Sequence, residues 1–459
     1  MKIVMTGATG TVGQKLTRTL LADGHRVLAL SRDTENARLV LPADSDVAQW
    51  DAASDLDETL LTGADAVVHL AGAGVADRRW SKARKREIEM SRVGSADRLV
   101  EAISRMPVEQ RPKTFLSASA IGIYGDRGED ELDESSDGSD GFLAEVCKAW
   151  EAAASRAVLQ GCRVAIARIG IVLSPEGGML GRLLPIFRLG LGGRLGRGRH
   201  WVSWVHVDDL VAMLARALRD EKIVGVFNAV SPHPVRNTEM TASIARAVGR
   251  PAWFPVPEFG VRLAVGEMAS MLVASQRVRP HRMLEADFSF SYGELEDAIA
   301  DVTSSGDRVC VFEQRVAKPL AEVFPFYADA RNLEKMTPDF VRFRMLQYPD
   351  KGIHEGALIS YKIALHGVPM FWRTRIDEWQ PNQFFVDSQV CGPYSLWQHR
   401  HEFVDEGDAT LVRDIVRYRL PLGALGELVA GSWVAHDVQR IFAFRRVVLD
   451  NLFGSTVSA

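Results

Sequence analysis

The chain has 459 residues, too many for one hydrophobic core, so we expect two or three domains. Its 47% apolar and 25% charged residues are typical of a globular protein, and a net charge of −4 favours neither a nucleic acid nor a membrane as partner. Four scattered cysteines without a CxxC pair indicate neither a disulfide framework nor a zinc site. The first strand leaves no room for a signal peptide and no apolar run approaches the ~20 residues of a membrane span, so we expect a cytoplasmic protein.

The first thirty residues read as a strand, a glycine-rich turn, a helix and a second strand. Gly7 permits a tight turn, Gly10 lets the backbone approach a pyrophosphate, and Gly13 lets the helix pack closely on the sheet. The helix N-terminus then offers unpaired N–H groups to the phosphates. Because the glycines lie between a strand and a helix, this context predicts a dinucleotide-binding βαβ unit.

The end of the second strand bears on which dinucleotide binds. A carboxylate there accepts from the ribose 2′-hydroxyl of NAD, whereas a cation holds the 2′-phosphate of NADP. Arg32 can bind a phosphate through two N–H groups and Ser31 can donate to it, so we favour NADP. NAD stays open if Asp33 turns inward instead, and Arg32 can also be an ordinary surface charge.

Strands and helices alternate from residue 1 to about 230, which predicts a parallel sheet covered on both faces. Further strands are expected at residues 66–70, 114–117 and 164–168, with helices at 97–106 and 142–159. Residues 231–300 add Pro-rich connections and helices, the last at 292–299. The polar stretch 303–307 reads as a linker.

After this stretch the pattern changes to long strands and few helices. Strands are expected at residues 308–316, 358–365, 370–379, 383–390, 397–404 and 409–420, with a helix at 320–327. A last helix over 428–452 carries one apolar stripe, made of Val434, Val438, Ile441, Phe442, Val448, Leu449 and Leu452. The pattern predicts an α+β domain whose curved sheet wraps the helix.

The N-terminal part, roughly residues 1–300, resembles an extended short-chain dehydrogenase/reductase. The similarity lies in residues 6–13, 69–72, 117–125 and 204–210. Residues 142–151 and 276–292 resemble an atypical subgroup of the NAD-dependent epimerase/dehydratase family that includes sugar-epimerase-like and cell-division-inhibitor-like proteins and ends in a segment of DUF1731 type.

This resemblance implies a set of cofactor-binding residues. The turn would hold the pyrophosphate, residues 31 and 32 the adenosine ribose phosphate, residues 70–72 the far ribose, and Asp51 the adenine, although an Asp after a strand is also a common turn residue. Arg168 ends a further strand beside the cofactor. The full set is Gly7, Thr9, Gly10, Thr11, Val12, Gly13, Ser31, Arg32, Asp51, Leu70, Ala71, Gly72 and Arg168.

The sequence departs from the superfamily where chemistry is expected. The superfamily uses a Tyr and, four residues later, a Lys that lowers the phenol pKa, but alignment on Trp150-Glu151 places Leu143 and Cys147 there. Neither can do that work, and Lys148 lies about 100° around the helix. The candidate catalysts are therefore Ser119, at the end of a parallel strand, and Tyr124 on the loop after it.

Other polar residues also end strands of the predicted sheet. Arg168 and His206 are further candidates for the nicotinamide pocket, and we expect Asp208 to cap the helix after His206. A structural role in a turn, the packing or an ion pair is an equal alternative for each of these residues and for both candidate catalysts.

Residues from about 306 to 457 resemble the START-like, helix-grip fold of polyketide cyclases, in the segments 316–324 and 329–333 and in the terminal helix. A cavity for an apolar ligand and a filled core explain its aromatic side chains equally well: Phe371, Trp372, Trp379, Phe384, Phe385, Tyr394, Trp397 and Phe403. His399 and His401 share one strand face, but without a carboxylate or Cys at matching spacing we expect surface residues and no metal site.

The fold class is therefore α/β, a Rossmann-type doubly wound parallel sheet in residues 1–303 with 231–300 on the substrate side, followed by an α+β helix-grip domain in 304–459. The resemblance favours an NADP-dependent oxidoreductase or epimerase-like enzyme acting on a small carbonyl or alcohol, with NADPH preferred over NADH. The alternative is a protein without catalysis that senses NADP and binds an apolar ligand. A third option joins them, with the second domain presenting an apolar substrate. A homodimer stays open.

Overall fold

A computed structural model of the chain describes residues 1–175, 177–304, 306–349, 352–365 and 367–454. The chain divides into two compact units. One unit consists of Met1–Ala37 and Asp44–Ser304, and the other of Arg38–Ala43 with the residues after Ser304. Each unit contains one seven-stranded sheet.

The strands that precede Ser304 are mostly short and buried, as expected for a sheet covered on both faces. They are β1 (Lys2–Thr6), β2 (Arg26–Ser31), β3 (Asp46–Gln49), β4 (Ala66–His69), β5 (Thr114–Ala120), β6 (Glu131–Leu132), β7 (Arg163–Ile169), β8 (Ile171–Ser174), β9 (Trp201–Val202), β10 (Trp204–His206), β11 (Gly225–Ala229), β12 (Val235–Arg236) and β13 (Arg277–Val278).

The helices of the same part of the chain lie between these strands. They are α1 (Thr11–Ala22), α2 (Thr34–Val40), α3 (Lys82–Glu89), α4 (Ser95–Arg105), α5 (Phe142–Ser155), α6 (Gly178–Arg188), α7 (Val207–Arg219), α8 (Asn237–Ala247), α9 (Glu258–Val265), α10 (Ala269–Val273), α11 (His281–Glu285) and α12 (Leu295–Ser304).

The large sheet of the first unit is entirely parallel, with the order β11-β7-β5-β4-β1-β2-β3. The chain winds outward in both directions from β1, so the switch point lies between β1 and β4. Ligands of such sheets bind at the carboxyl edge beside that point. The expected Rossmann-type doubly wound sheet is confirmed.

The second unit is built from antiparallel strands and one long helix. Its strands are β14 (Arg308–Val316), β15 (Arg344–Gln347), β16 (Leu358–Leu365), β17 (Val368–Gln380), β18 (Phe384–Cys391), β19 (Leu396–Asp405) and β20 (Thr410–Arg419), and its helices are α13 (Leu320–Tyr327) and α14 (Ala424–Phe453). The sheet order is β14-β20-β19-β18-β17-β16-β15, and Val438, Phe442 and Leu449 of α14 are buried. The expected α+β helix-grip domain is confirmed.

Four local predictions were wrong. The helix expected at 292–299 runs over Leu295–Ser304 instead, so Thr303 and Ser304 are helical rather than part of a linker. The Asp307 side chain is buried between Arg417 and Arg419, with N–O distances of 2.5 and 2.6 Å. His206, rather than Asp208, caps α7, because its ring accepts from the Asp208 N–H at 3.2 Å. Leu452, placed on the apolar stripe, is half exposed.

Within the described ranges, no helix combines the length and the apolar character needed to cross a lipid bilayer.

Candidate functional site

The glycine-rich turn after β1 is shaped by two close backbone approaches. Gly7 has φ +74°, and a Cβ there would lie 2.5 Å from the carbonyl carbon of Leu70 and 2.7 Å from the amide nitrogen of Ala71. A Cβ on Gly13 would meet the carbonyl oxygen of Gly7 and lie 2.7 Å from Cα of Ala8. Both positions therefore require glycine, because a side chain on Gly7 would clash with the backbone after β4 and one on Gly13 would clash with the turn itself.

The N-terminus of α1 has no side-chain cap. Gly10 is its N-cap residue, and Thr11, Val12 and Gly13 form its first turn. Thr9 precedes them, and its carbonyl accepts from the Gln14 side chain at 2.8 Å. Within the part of the chain that the structure describes, the amides of this first turn are thus left to a ligand, and the helix dipole favours an anion there. The turn fits the diphosphate of a dinucleotide, because Gly10 at the helix start carries no side chain that would keep a phosphate from these amides.

The three residues at the end of β2 have different roles. Ser31 Oγ donates to the carbonyl of Asp33 at 2.9 Å, and Asp33 Oδ1 accepts from the Asn36 amide at 2.9 Å at the start of α2. The Asp33 carboxylate is therefore engaged by its own helix. The Arg32 side chain is exposed, and its backbone carbonyl accepts from Gln49 at 2.8 Å.

The other predicted cofactor contacts lie beside the same edge of the sheet. Leu70, Ala71 and Gly72 follow β4, and the Leu70 amide donates to the Thr6 carbonyl at 3.1 Å. Asp51 lies in an exposed turn after β3, where Oδ1 accepts from the Ala53 amide at 3.0 Å. This is the turn role that the sequence left open for Asp51.

A buried polar network joins the carboxyl ends of β5 and β7. Ser119 Oγ donates to Glu151 Oε1 at 2.7 Å, and Arg168 donates to both oxygens of Glu151 at 2.9 and 2.8 Å. The Arg168 and Glu151 side chains are only 10% and 12% exposed. Burial opposes the charge of Arg168, but its hydrogen bond to Glu151 holds its pKa above the ordinary value. The structure therefore brings the predicted Ser119 and Arg168 together through Glu151, which sequence reasoning did not select.

Tyr124 belongs to the same network and is fully buried, and Ser119 is only 3% exposed. Its hydroxyl accepts from Arg168 at 2.9 Å and lies 2.8 Å from Asn228 Oδ1 and 2.9 Å from the Asp133 carbonyl, both of which can take its proton. Burial raises the pKa of this phenol despite the nearby guanidinium of Arg168. The environment therefore holds the proton of Tyr124 on its oxygen.

Arg92 is a second residue that sequence reasoning missed. It lies in a π-helical turn, Met90–Gly94, and donates to the carbonyls of Ala73 at 3.0 Å and Ile88 at 3.1 Å. A Cβ on Gly72 would lie 2.9 Å from Cζ of this guanidinium. Arg92 therefore supports the loop after β4, and burial lowers its pKa.

In the second unit, most of the predicted aromatic residues pack into two clusters around α13 and the central strands. Phe385 and Phe403 lie in one cluster with Tyr327, and Trp372, Tyr394 and Trp397 lie in the other. Trp372 packs edge-to-face against Trp397, with ring centroids 5.3 Å apart. Aromatic residues thus fill core space here, whereas Phe371 is 39% exposed.

His399 and His401 are not surface residues, so this prediction was wrong. They are 5% and 6% exposed, and carboxylates reach them from the neighbouring strands β18 and β20. Asp387 and Asp414 lie far from them in sequence but directly opposite them in the sheet. Sequence spacing along one strand could not reveal these partners.

The comparisons with known proteins agree with this geometry. The model of the NAD dependent epimerase/dehydratase family matches residues 3–230, and that of a domain of unknown function, DUF1731, matches residues 256–302. The epimerase family protein SDR39U1 homolog of Arabidopsis thaliana is 38% identical over 299 residues, which cover 65% of this chain and 86% of that protein. The chain belongs to the NAD-dependent epimerase/dehydratase family.

Solved structures of family members are similar in the same region. Human SDR39U1 (isoform 2), crystallised with NADPH, is 33% identical with a TM-score of 0.59, covering 66% of this chain and all of that one. A nucleoside-diphosphate sugar epimerase of Corynebacterium glutamicum is 36% identical with a TM-score of 0.53, covering 66% of this chain and 58% of that one. The model of a second family, polyketide cyclase/dehydrase and lipid transport, matches residues 316–443.

This family member carries Leu143 and Cys147 on the face of α5 that points toward the network. With Glu151 they are spaced by four residues, so all three lie along one side of the helix. Burial raises the pKa of Cys147 to about 11, with the charge of Glu151 adding to the effect, so its thiol stays neutral. Lys148 lies elsewhere on the helix and pairs with Glu145 at 2.9 Å. The spacing of four from Cys147 is the signal that could have identified Glu151.

Proposed function

We propose that this chain is an NADP(H)-dependent oxidoreductase that interconverts a small alcohol and its carbonyl compound, with Ser119 as the proton-transferring residue. The observation that carries the proposal is the Ser119–Glu151–Arg168 network at the carboxyl edge of the parallel sheet, beside the switch point. The cofactor supplies or accepts the hydride when it is bound.

The choice of NADP rests on the two charged residues after β2. Asp33 Oδ1 accepts a backbone amide of α2, which leaves only part of its carboxylate to receive a ribose hydroxyl. Arg32 is exposed at the same strand end, where it can bind a 2′-phosphate. The human relative was crystallised with NADPH, which supports the same choice.

The network gives Ser119 a route for a proton. As an alcohol is oxidised, its carbon loses a hydride and its oxygen a proton; the proton passes to Ser119 Oγ as the Ser119 proton passes to Glu151. The carboxylate of Glu151 accepts the Ser119 hydroxyl at 2.7 Å, so the acceptor is already in place. In the reverse direction the same groups return a proton to the carbonyl oxygen. Arg168 fixes the Glu151 carboxylate through two hydrogen bonds.

We assign Tyr124 a positioning role. Its hydroxyl oxygen receives Arg168, and its proton faces Asn228 and the Asp133 carbonyl rather than Ser119. The tyrosine therefore helps to hold the Arg168 guanidinium against Glu151. General acid–base groups typically contribute 10²–10⁴-fold in rate, and the loss of Ser119 is expected within that range.

The test is NADPH oxidation by the full chain with a panel of aldehydes, quinones and enones. With a substrate that turns over, Ser119→Ala should lower kcat by 10²–10⁴-fold. Ser117→Ala is the matched control, since Ser117 lies two residues earlier on β5 and donates to the Ala118 carbonyl at 2.9 Å instead. Equal losses in both variants would contradict the assignment of Ser119.

The cofactor choice is tested separately by titrating NADPH and NADH. Arg32→Ala should weaken NADPH binding by about 10–100-fold, the effect of a charged hydrogen bond worth about 1.5–3 kcal/mol, and leave NADH binding unchanged. Arg250→Ala, another exposed arginine, is the control. An unchanged preference in Arg32→Ala would refute the argument that Arg32 selects NADP.

A second candidate function is a cofactor-sensing protein without catalysis. The observation that favours it is that Leu143 and the neutral thiol of Cys147 stand where the family's Tyr and Lys are expected. Tight NADPH binding without oxidation by any compound of the panel would support this second function over the first.

A further inference from the structure

The second unit contains a buried cluster of histidines and carboxylates that the dinucleotide site does not use. His399 and His401 are two residues apart on β19, so both side chains lie on one face of the sheet. The strand register places Asp387 of β18 opposite His399 and Asp414 of β20 opposite His401. The four side chains are between 7% and 15% exposed.

Asp414 contacts one nitrogen of each imidazole. Its Oδ1 lies 2.9 Å from Nε2 of His399 and 2.7 Å from Nδ1 of His401. Nε2 of His399 forms a hydrogen bond with this oxygen, whereas Nδ1 of His401 lies beside it without hydrogen-bond alignment. A hydrogen on each of the two nitrogens avoids placing a lone pair against the carboxylate. Nη1 of Arg445, on α14, lies 3.5 Å from the same oxygen and balances its charge.

The other two ring nitrogens face Asp387. Its Oδ2 lies 3.4 Å from Nε2 of His401 and 3.7 Å from Nδ1 of His399. With their hydrogens on the Asp414 side, neutral imidazoles present two lone pairs here to a charged oxygen. Three electron-pair donors therefore converge in a region of low polarity, and a cation is required to make the arrangement favourable.

The spacing of these donors fits a metal ion. In a tetrahedral site with bonds of about 2.1 Å, neighbouring ligand atoms are about 3.4 Å apart. The two distances from Asp387 are 3.4 and 3.7 Å, and all three donor atoms lie within 4.8 Å of one another. Asp414 then has the position of the carboxylate that typically accepts the second N–H of metal-binding histidines and so orients them.

We propose that Asp387, His399 and His401 bind one divalent transition-metal ion of the zinc type, with Asp414 orienting both imidazoles. Two nitrogens and one carboxylate favour such an ion over Mg²⁺ or Ca²⁺, which prefer oxygen ligands only. Three protein ligands leave a fourth position for water or a ligand. Aromatic rings cover both imidazoles: Phe385 stacks on His401 with ring centroids 4.2 Å apart, and Phe442 lies edge-on to His399 with ring centroids 5.5 Å apart.

This site does not depend on the proposed oxidoreductase function, because all of its residues belong to the second unit. The competing occupant of the space between the donors is a proton shared by His401 and Asp387. If the space takes a metal ion, the purified chain binds zinc with one-to-one stoichiometry. If it takes a proton instead, the chain does not bind zinc there.

The experiment uses the full chain, stripped of metal with a chelator and titrated with Zn²⁺ against a chromophoric competitor. We expect one tightly bound equivalent and at least 100-fold weaker binding in Asp387→Asn and His401→Gln. Asp414→Asn should weaken binding by about 10–100-fold, as expected for the loss of an orienting carboxylate. His354→Gln, an exposed histidine of the same unit, is the matched control and should bind as the wild type does.

A measurement on the wild type keeps the proposal testable if a variant fails to fold. Co²⁺ bound by two imidazoles and a carboxylate in tetrahedral geometry gives visible absorption bands, which Zn²⁺ should displace. A wild-type chain that shows no such bands, or that binds no equivalent of Zn²⁺, would overturn the proposal in favour of the proton. Zinc binding that Asp387→Asn and His401→Gln leave unchanged would also overturn it.

Discussion

Because Gly13 is closely packed, we expect Gly13→Ala to lower the free energy of unfolding. In Gly13→Ala the new Cβ would meet the Gly7 carbonyl oxygen and lie 2.7 Å from Cα of Ala8, roughly 1 Å inside the ordinary carbon–carbon separation of about 3.5 Å. The turn cannot give way freely, since the Gly10 amide donates to that same Gly7 carbonyl at 3.1 Å. Such overpacking costs about 1–3 kcal/mol, and the gain from Ala stays below the ~1 kcal/mol of a helix interior because Gly13 lies in the first turn of α1.

Gly181→Ala is the matched control because the same substitution should raise the free energy of unfolding there. Gly181 lies inside α6, and a Cβ at this position has no neighbour within 4 Å among the described residues. The control should therefore gain about 0.5–1 kcal/mol. Urea unfolding followed by circular dichroism measures both changes in the free energy of unfolding.

The same variants separate stability from cofactor binding. A displaced turn moves the amides that would receive the diphosphate, so NADPH affinity should fall by about 10–100-fold in Gly13→Ala, the value of one charged hydrogen bond. Gly181→Ala should bind NADPH like the wild type. A Gly13→Ala protein with wild-type stability and wild-type NADPH affinity would refute the argument that close packing shapes this turn for a dinucleotide.

Three further outcomes follow from buried groups. Glu151→Ala should cost about 3–5 kcal/mol in urea unfolding because it leaves Arg168 buried without its partner, and a loss below 1 kcal/mol would contradict this. Burial lowers the pKa of His69 to about 4 from 6.5, so the unfolded chain binds more protons between these values; stability should fall by up to about 3 kcal/mol as the pH drops through that window, and His69→Gln should flatten the curve. Iodoacetamide should modify the exposed Cys391 long before the buried Cys147, whose pKa is raised to about 11, as mass spectrometry of the peptides can show.

Local patterns in the sequence were sufficient for most of the second unit's elements. The strand at 308–316 and the helix at 320–327 have the predicted bounds, since polar linkers and proline delimit both. The strand Arg344–Gln347 was missed. It has four residues, pairs only with β16, and shows no alternation of apolar and polar residues that could distinguish it from a loop.

The cap of α7 was predicted incorrectly for a chemical reason. Asp is a preferred N-cap residue and His is not, so Asp208 was the natural choice. In the structure Asp208 forms an ion pair with Lys15 of α1, and the ring nitrogen of His206 accepts the Asp208 amide instead. A tertiary partner on another helix decided this contact, and the local sequence does not contain it.

The two polar networks differ in how much of each could be predicted from the sequence. Ser119 and Arg168 were found because residues at the carboxyl ends of parallel strands meet at one edge, whatever the register. The cluster around His399 and His401 needs more information, because antiparallel pairing must place Asp387 and Asp414 on the same face of adjacent strands. A shift of one residue in either pairing would turn the carboxylate of that strand to the opposite face, and a shift in both would leave two buried imidazoles without acceptors. Register is therefore the physical quantity that separates a pair of surface histidines from a candidate metal centre, and it is fixed by the packing of the whole sheet against α14.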